Sequence, residues 1–333
     1  MTTHTFMRWT AAAAAGSVAL LALAGCASGA QPGAASGADA PETIAMTIGG
    51  VPTVDMGFIQ LAQDQGFFED AGLDVTIEYA GGASALVPAL LNGQYDVIWG
   101  GLLTGLRAVD QGLPLKAIAL SSKSTGEYGH DLSGILALDG SGIESVADLP
   151  GKKVGVNEAG GPHEVQANVL MKKKGVDYSQ VEYVELPIPN QNQALRDGTV
   201  DAVVIPDPYL TASQQQGGVT LVASTPNEWS SNLYTSAFYT TEGILASDPV
   251  MIDRFLQALH QSYDLAREDP DALRAATSVV TKIDPAILET MAFPANGWEG
   301  QRTALQEYAD AISGVNAIED PDAAKKLTAD VMP

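Results

Sequence analysis

Residues 81–101 read GGASALVPALLNGQYDVIWGG. The run divides into a glycine turn, a short helix, a tight turn, a buried strand and a second glycine turn. Ala85, Leu86, Ala89 and Leu90 recur at helical spacing. Asn92-Gly93 follows, and glycine just past the last apolar turn is a helix stop, because it enters the left-handed region without steric cost. Asp96 to Trp99 is then a short apolar run of the kind that is covered on both faces of a sheet, which puts Trp99 in the core.

The same device returns later in the chain. Ala89 to Ile98, ALLNGQYDVI, has a counterpart 105 residues on in Ala194 to Val203, ALRDGTVDAV, with alanine, leucine, glycine and aspartate coincident. Upstream, Gly72 to Tyr79 resembles Gly175 to Tyr183 with a slip in spacing. The period far exceeds that of a solenoid repeat, so two lobes of similar β-α-β-α-β build are expected.

A chain of 333 residues with 46% hydrophobic residues is globular and long enough for two lobes. Its formal charge of −23 repels a phosphate backbone, so nucleic acid is excluded as a partner. The single cysteine, Cys26, rules out an intrachain disulfide framework and a cysteine metal cluster. No metal site and no cofactor motif is read.

The first 25 residues form a targeting segment. Ala11 to Leu23 is apolar but short for a membrane span, and it ends in Leu23-Ala-Gly-Cys26, which resembles the bacterial lipobox. Cys26 is therefore expected to carry lipid and to tether the protein to a membrane that no helix crosses. The only basic residue before the apolar run is Arg8, and initiation at Met7 is an alternative start. Residues 26–42 are small, polar and rich in Gly and Pro, as a flexible tether is.

Strands are expected at 43–48, 73–79, 96–99 and 115–120 in the first lobe, with helices between them. Residues 133–138 and 234–239 are expected as the two extended crossings that form a hinge. Lobe two spans 135–237. Lobe one takes 43–134 and 238–333, whose last part is helical by pattern from Glu242 onward.

The stretch Asp148-Leu-Pro-Gly-Lys-Lys-Val-Gly-Val156, together with Gly66-Phe-Phe, Gly72-Leu-Asp-Val, Gly81-Gly82 and Asn92-Gly-Gln-Tyr-Asp-Val, resembles type II periplasmic binding proteins. The likeness is to the branch carrying alkanesulfonates, taurine, nitrate and the pyrimidine precursor of thiamine, and it spans roughly residues 43–265. It implies a two-lobed α/β fold, each lobe a mostly parallel sheet flanked by helices, joined by a two-strand hinge. It also implies an extracytoplasmic, monomeric binding protein that hands a small solute to an ABC permease.

In open α/β sheets ligands bind beyond the carboxyl ends of the strands. Here those ends are 49–53, 81–85, 100–104, 121–128, 157–163 and 206–209. The candidate ligand residues are Thr53, Asp55, Gly82, Ala83, Ser84, Gly101, Ser121, Glu158, Gly160, Gly161, His163, Asp207 and Trp229. A sulfonate or nitrate would favour arginine, and these loops hold none; Lys123 is their only cation. Asp55, Glu127, Glu158 and Asp207 lie in or beside them instead, with Glu158 and Asp207 the preferred pair. Tyr128, Tyr209 and Trp229 offer flat walls. These residues favour a neutral or amine-bearing solute, such as a pyrimidine or other heterocycle, over a sulfonate.

Enzyme chemistry is the competing class. No Gly-x-Ser-x-Gly, His-Glu-x-x-His, Walker or Gly-x-Gly-x-x-Gly pattern occurs. Enzymes that resemble this branch include a pyrimidine synthase, which depends on a cysteine-rich run absent here, and enzymes acting on sulfonated or sulfinated aromatics. A lipoprotein that senses a ligand without transport is the third reading.

Overall fold

The repeat in sequence is a repeat in space. The computed structural model describes residues 43–80 and 85–333. Cys26, the tether and the candidate ligand residues Gly82, Ala83 and Ser84 lie outside the described residues.

The first part runs β1 (Ile44–Gly50), α1 (Val54–Asp64), α2 (Phe67–Asp70), β2 (Leu73–Tyr79), α3 (Leu86–Leu91), β3 (Val97–Gly101), α4 (Leu102–Asp110) and β4 (Leu115–Lys123). The second part runs β5 (Ser133–Leu138), β6 (Lys153–Val156), α5 (Pro162–Lys173), β7 (Glu182–Glu185), α6 (Ile188–Arg196), β8 (Ala202–Pro206), α7 (Tyr209–Gln216) and β9 (Val219–Ala223). The chain then returns through α8 (Thr225–Trp229) and β10 (Tyr234–Thr241). It ends in α9 (Glu242–Ser247), α10 (Pro249–Glu268), α11 (Pro270–Thr281), α12 (Pro285–Leu288), α13 (Gln301–Ser313) and α14 (Ala323–Leu327).

Two five-stranded sheets result, with orders β2-β1-β3-β10-β4 and β7-β6-β8-β5-β9. The orders correspond strand for strand. Each sheet is mixed, because one strand runs against the rest: β10 in the first, β5 in the second. These are the two segments expected at the hinge. Both are internal sheet strands, and the chain passes between the sheets in the adjoining stretches 124–132 and 224–233. A strand that leaves one sheet and a strand that returns to the other each fill the gap beside the last parallel strand.

The repeated decapeptide has a clear physical role. Gly93 (φ 74°) and Gly198 (φ 70°) end α3 and α6 in the left-handed region, and the following amide closes each cap, Gln94 N donating to Ala89 O and Thr199 N to Ala194 O. The coincident aspartates then start β3 and β8. Asp96 Oδ2 accepts from Thr47 N at 2.7 Å, and Asp201 Oδ2 accepts from Lys153 N at 2.8 Å. Each carboxylate thus fixes the register of its strand against its parallel neighbour, β1 for β3 and β6 for β8.

Apolar packing follows the same division. Met46, Ile48, Val97, Ala119 and Phe238 pack under α1, α10 and α11, with Phe58 edge-on to Tyr263 at 4.8 Å between centroids. Ile135, Val154, Val156, Leu170 and Val204 form the core beneath α5. The C-terminal helices add to the first lobe, since α10 and α11 lie on α1 and α14 lies on α4. Among the described residues no helix is long and apolar enough to cross a membrane.

Candidate functional site

The carboxyl ends of the strands converge on a cavity of about 520 Å³. The first lobe lines it with Thr53, Asp55, Trp99, Gly101, Ser122, Thr235 and Ser236, and the second with Ser133, His163, Gln166, Ile188, Asp207 and Tyr209. A third wall comes from the tail: Ile283, Met291, Ala292 and Pro294. The described lining holds no lysine and no arginine.

Asp55 is the second residue of α1 and only 4% exposed. Both its oxygens accept from Ser122 Oγ, at 2.7 and 2.8 Å, and Oδ1 also accepts from Ser236 Oγ at 3.0 Å. Burial pushes its pKa up, and the hydroxyls of Ser121, Ser122 and Ser236, with the neighbouring Trp99 indole, pull it part of the way back. The Trp99 Nε1 lies beside this carboxylate without completing a hydrogen bond of good geometry, and Thr53 Oγ1 is likewise buried without a partner.

The second lobe presents a neutral counterpart. Gln166 Oε1 accepts from Ser133 Oγ at 3.1 Å and from Thr225 Oγ1 at 3.2 Å. His163 Nδ1 sits 2.6 Å from Asn157 Oδ1, an oxygen that only accepts, so Nδ1 carries the proton and Nε2 is left as an acceptor. Burial lowers its pKa to about 4, and the ring is uncharged at neutral pH.

Asp207 lines the cavity but is already engaged. It accepts from Thr211 N at 2.9 Å, from Thr211 Oγ1 at 3.1 Å and from Ala292 N at 2.9 Å. Ala292 follows α12, on the segment that Lys123 N anchors to β4 through Asn296 Oδ1. Asp207 therefore bridges the second lobe to the tail of the first. Gln215 Nε2, on α7, makes a second such bridge to Thr290 Oγ1 at 2.9 Å.

The sequence-derived candidates divide accordingly. Thr53, Asp55, Gly101, His163 and Asp207 meet in the cavity, as does Tyr209. Ser121 lies behind the wall, fully buried, where Asn296 Nδ2 donates to its hydroxyl at 3.2 Å. Glu158 is exposed and outside the lining. Gly160 and Gly161 shape the loop before α5; a Cβ on Gly161 would meet the Glu158 backbone oxygen at 2.9 Å. Trp229 stacks on Tyr308 at 5.0 Å in the core on the far side, because α8 turns it inward. Trp99 corrects the opposite way: it is part of the cavity wall rather than the core. Ser122, Ser236, Gln166 and the tail residues were not legible. A pair of serines ending the apolar run Leu115–Leu120 was the available signal for Ser122.

The NMT1/THI5-like family profile matches residues 53–273. The formylaminopyrimidine-binding protein of Halalkalibacterium halodurans is 29% identical over 196 residues, covering 56% of this chain and 53% of that one. Among solved structures, the periplasmic aliphatic sulphonate binding protein SsuA from Escherichia coli superposes with a TM-score of 0.71 at 18% identity, over 87% of this chain and 92% of the other. The alkanesulfonate-binding protein SsuA from Xanthomonas axonopodis pv. citri, bound to MOPS, gives 0.69 at 20% identity, over 87% and 99%. The structural likeness is one of fold: two sheets of matching order around a shared cleft, as in periplasmic binding proteins. The profile covers both sheets apart from β1 and most of the cavity wall, and the chain belongs to the NMT1/THI5-like family.

Proposed function

We propose that this chain is the extracytoplasmic solute-binding component of an ABC importer, tethered to the membrane through lipid on Cys26. Its solute is small and organic, neutral or amine-bearing, with a pyrimidine or other heterocycle favoured over a sulfonate or nitrate. The observation that carries the reading is the cavity itself: loops from both sheets line it, so one small molecule touches both lobes at once. A solute that contacts both lobes only when they are together shifts the population toward the closed form, and a permease that recognises that form receives loaded protein.

The ligand class rests on the lining. Asp55 and Asp207 are present in the described lining and arginine and lysine are absent from it, an arrangement suited to a donor-bearing edge such as an amino-heterocycle. The formylaminopyrimidine-binding relative is consistent with it. Trp99 and Tyr209 supply flat apolar surface on the two sides.

A thermal-shift screen of aminopyrimidines, amines, sulfonates, nitrate and small heterocycles tests the reading. A true solute raises the melting temperature by mass action, and calorimetry on the same sample gives one site per chain. Unchanged recovery of any hit after long incubation supports binding, whereas its chemical conversion places the chain among the enzymes of this fold. Cys26→Ser is expected to release the protein from membranes; retention of that variant at the membrane contradicts the anchor.

A further inference from the structure

We propose that Asp55 is the counter-ion for a cationic group of the solute, an ammonium or a protonated amino-heterocycle, and that the cavity rejects sulfonates. The inference rests on reading the cavity as a solute site and goes on to assign the charge of what enters it.

The argument starts from helix ends. The N-terminus of a helix favours an anion, because its first N–H groups and its dipole are unsatisfied. Among the described residues five helices begin at this cavity, and in three of them the protein supplies the anion itself; α4, capped by Gly101, and α6, from Ile188, have no acidic residue in the first turn. Asp55 stands in the first turn of α1. Glu164 stands in the first turn of α5, where its Oε2 accepts from Gly160 N at 2.7 Å, and Pro162 removes one further donor. Asp207 accepts from Thr211 N in the first turn of α7. At α1, α5 and α7 the place where an oxyanion would dock is taken by a carboxylate, and a sulfonate there would meet like charge.

Asp55 differs from the other two. Glu164 and Asp207 take backbone N–H donors, whereas among the described residues the hydrogen bonds to Asp55 come from serine hydroxyls. No lysine or arginine stands in the described lining, and residues 81–84, outside the described residues, include no charged residue. A buried carboxylate without a positive partner is unfavourable, and removing the counter-charge from such a site costs more than the pair is worth. Buried polar atoms without partners adjoin it: Thr53 Oγ1, which accepts, and Trp99 Nε1, whose ring offers an aromatic wall. Opposite stands His163, whose unprotonated Nε2 accepts and whose ring carries no charge to repel a cation.

The test uses amine, alcohol and sulfonate versions of the same frameworks: benzyl, pyrimidin-5-ylmethyl and hexyl. They are measured by thermal shift and calorimetry at neutral pH on wild-type protein and on Asp55→Asn. The inference expects binding by at least one amine, weaker or no binding by its alcohol and sulfonate partners, and a loss of about thirtyfold or more in amine affinity in Asp55→Asn. The unliganded Asp55→Asn protein should melt at or above the wild-type temperature, since the isosteric amide keeps the hydroxyl contacts and removes the lone charge. The inference is overturned if an alcohol or sulfonate binds better than its amine partner, if no amine binds, or if Asp55→Asn keeps its amine affinity. A drop of several degrees in its unliganded melting temperature overturns it too, because the carboxylate is then a structural clamp between α1, β4 and β10. Binding confined to a sulfonate removes the inference and leaves solute capture standing, whereas absence of binding by every class removes both.

Discussion

The two lobes are built alike and furnished differently. In each, a strand that runs against its neighbours carries a hydroxyl to a polar side chain on the first long helix. In the first lobe Ser236 of β10 reaches Asp55 of α1; in the second, Ser133 of β5 reaches Gln166 of α5. At these equivalent positions the first lobe presents a carboxylate and the second a neutral amide, while Asp207 lines the second wall already held by Thr211 and Ala292. Strand order is dictated by packing and is shared, whereas the residues at the helix starts face the cavity and diverge. A ligand held between such walls is oriented: its charged end belongs to the first lobe.

The largest difference between the lobes should appear at paired glycines. Gly49 in β1 lies beside Ile98, and Gly155 in β6 lies beside Val203, the equivalent positions of the repeat. A Cβ on Gly49 would stand 2.6 Å from the buried Tyr95 ring, but one on Gly155 only 3.1 Å from Leu186 and Val203. Gly49→Ala should cost about 3 kcal/mol and Gly155→Ala about 1 kcal/mol in denaturant unfolding, by the usual penalty for overpacking. Equal losses would mean that Tyr95 swings aside and that the two sheets tolerate the same crowding.

Next in size is the bridge from Asp207 to the tail. Asp207→Ala leaves the Ala292 and Thr211 N–H groups without their acceptor, at a cost of about 2 kcal/mol. It should therefore lower both ligand affinity and melting temperature. Glu158→Ala, at an exposed site outside the cavity, should change neither. These outcomes separate two carboxylates that the sequence ranks together as ligand groups. An Asp207→Ala protein with weakened binding and unchanged melting would restore it as a direct ligand residue.

Stability against pH separates His163 from Asp55 by sign. His163 is depressed from 6.5 to about 4 in the folded chain. Between those values the unfolded state holds more protons, so stability contributed at neutral pH is lost as pH falls from 6.5 toward 4. Asp55 shifts upward from 3.8, so across its window the folded state holds more protons and stability falls as pH rises. Full linkage at His163 would approach 3 kcal/mol, but its ring is partly exposed, and about 1–2 kcal/mol is expected. Wild-type and His163→Gln unfolding curves should agree in their pH slope above 7 and diverge between 6.5 and 4, with the variant flatter. For Asp55→Asn the difference from wild type should have the opposite slope. Parallel curves for His163→Gln would mean that the ring protonates normally in the folded protein.

Much of this was readable in the chain because local chemistry decides it. Glycine at helix ends and aspartate at strand starts have fixed backbone tasks, so ALLNGQYDVI and its echo announced two lobes. Asp55, His163 and Asp207 follow from the rule that loops after parallel strands meet at the cleft. What could not be read depends on contacts distant in sequence. The exchanged strands β5 and β10 look like linkers because each is extended and apolar, and only pairing reveals them as sheet members. Trp99 and Trp229 trade roles for a similar reason. An apolar strand does not say which of its residues reaches its open end, and a short helix such as α8 does not announce which way it faces. The wall formed by Met291, Ala292 and Pro294 comes from the tail, more than two hundred residues beyond Asp55.

The smallest effect tests the repeat itself. Asp96 and Asp201 make the same bond to the neighbouring parallel strands β1 and β6, but Asp96 is partly buried and Asp201 is exposed. Water competes for the second bond and not fully for the first, so truncation to alanine should cost about 1–2 kcal/mol at Asp96 and about 0.5 kcal/mol at Asp201. Hydrogen exchange offers the local measurement: the Thr47 amide should lose protection in Asp96→Ala while the Lys153 amide keeps it, and the converse should hold in Asp201→Ala. Loss confined to one lobe at a time would show that each aspartate governs its own sheet. Loss of both amides together in either variant would mean that the lobes open as one cooperative unit, and the likeness between them would then describe their construction and not their stability.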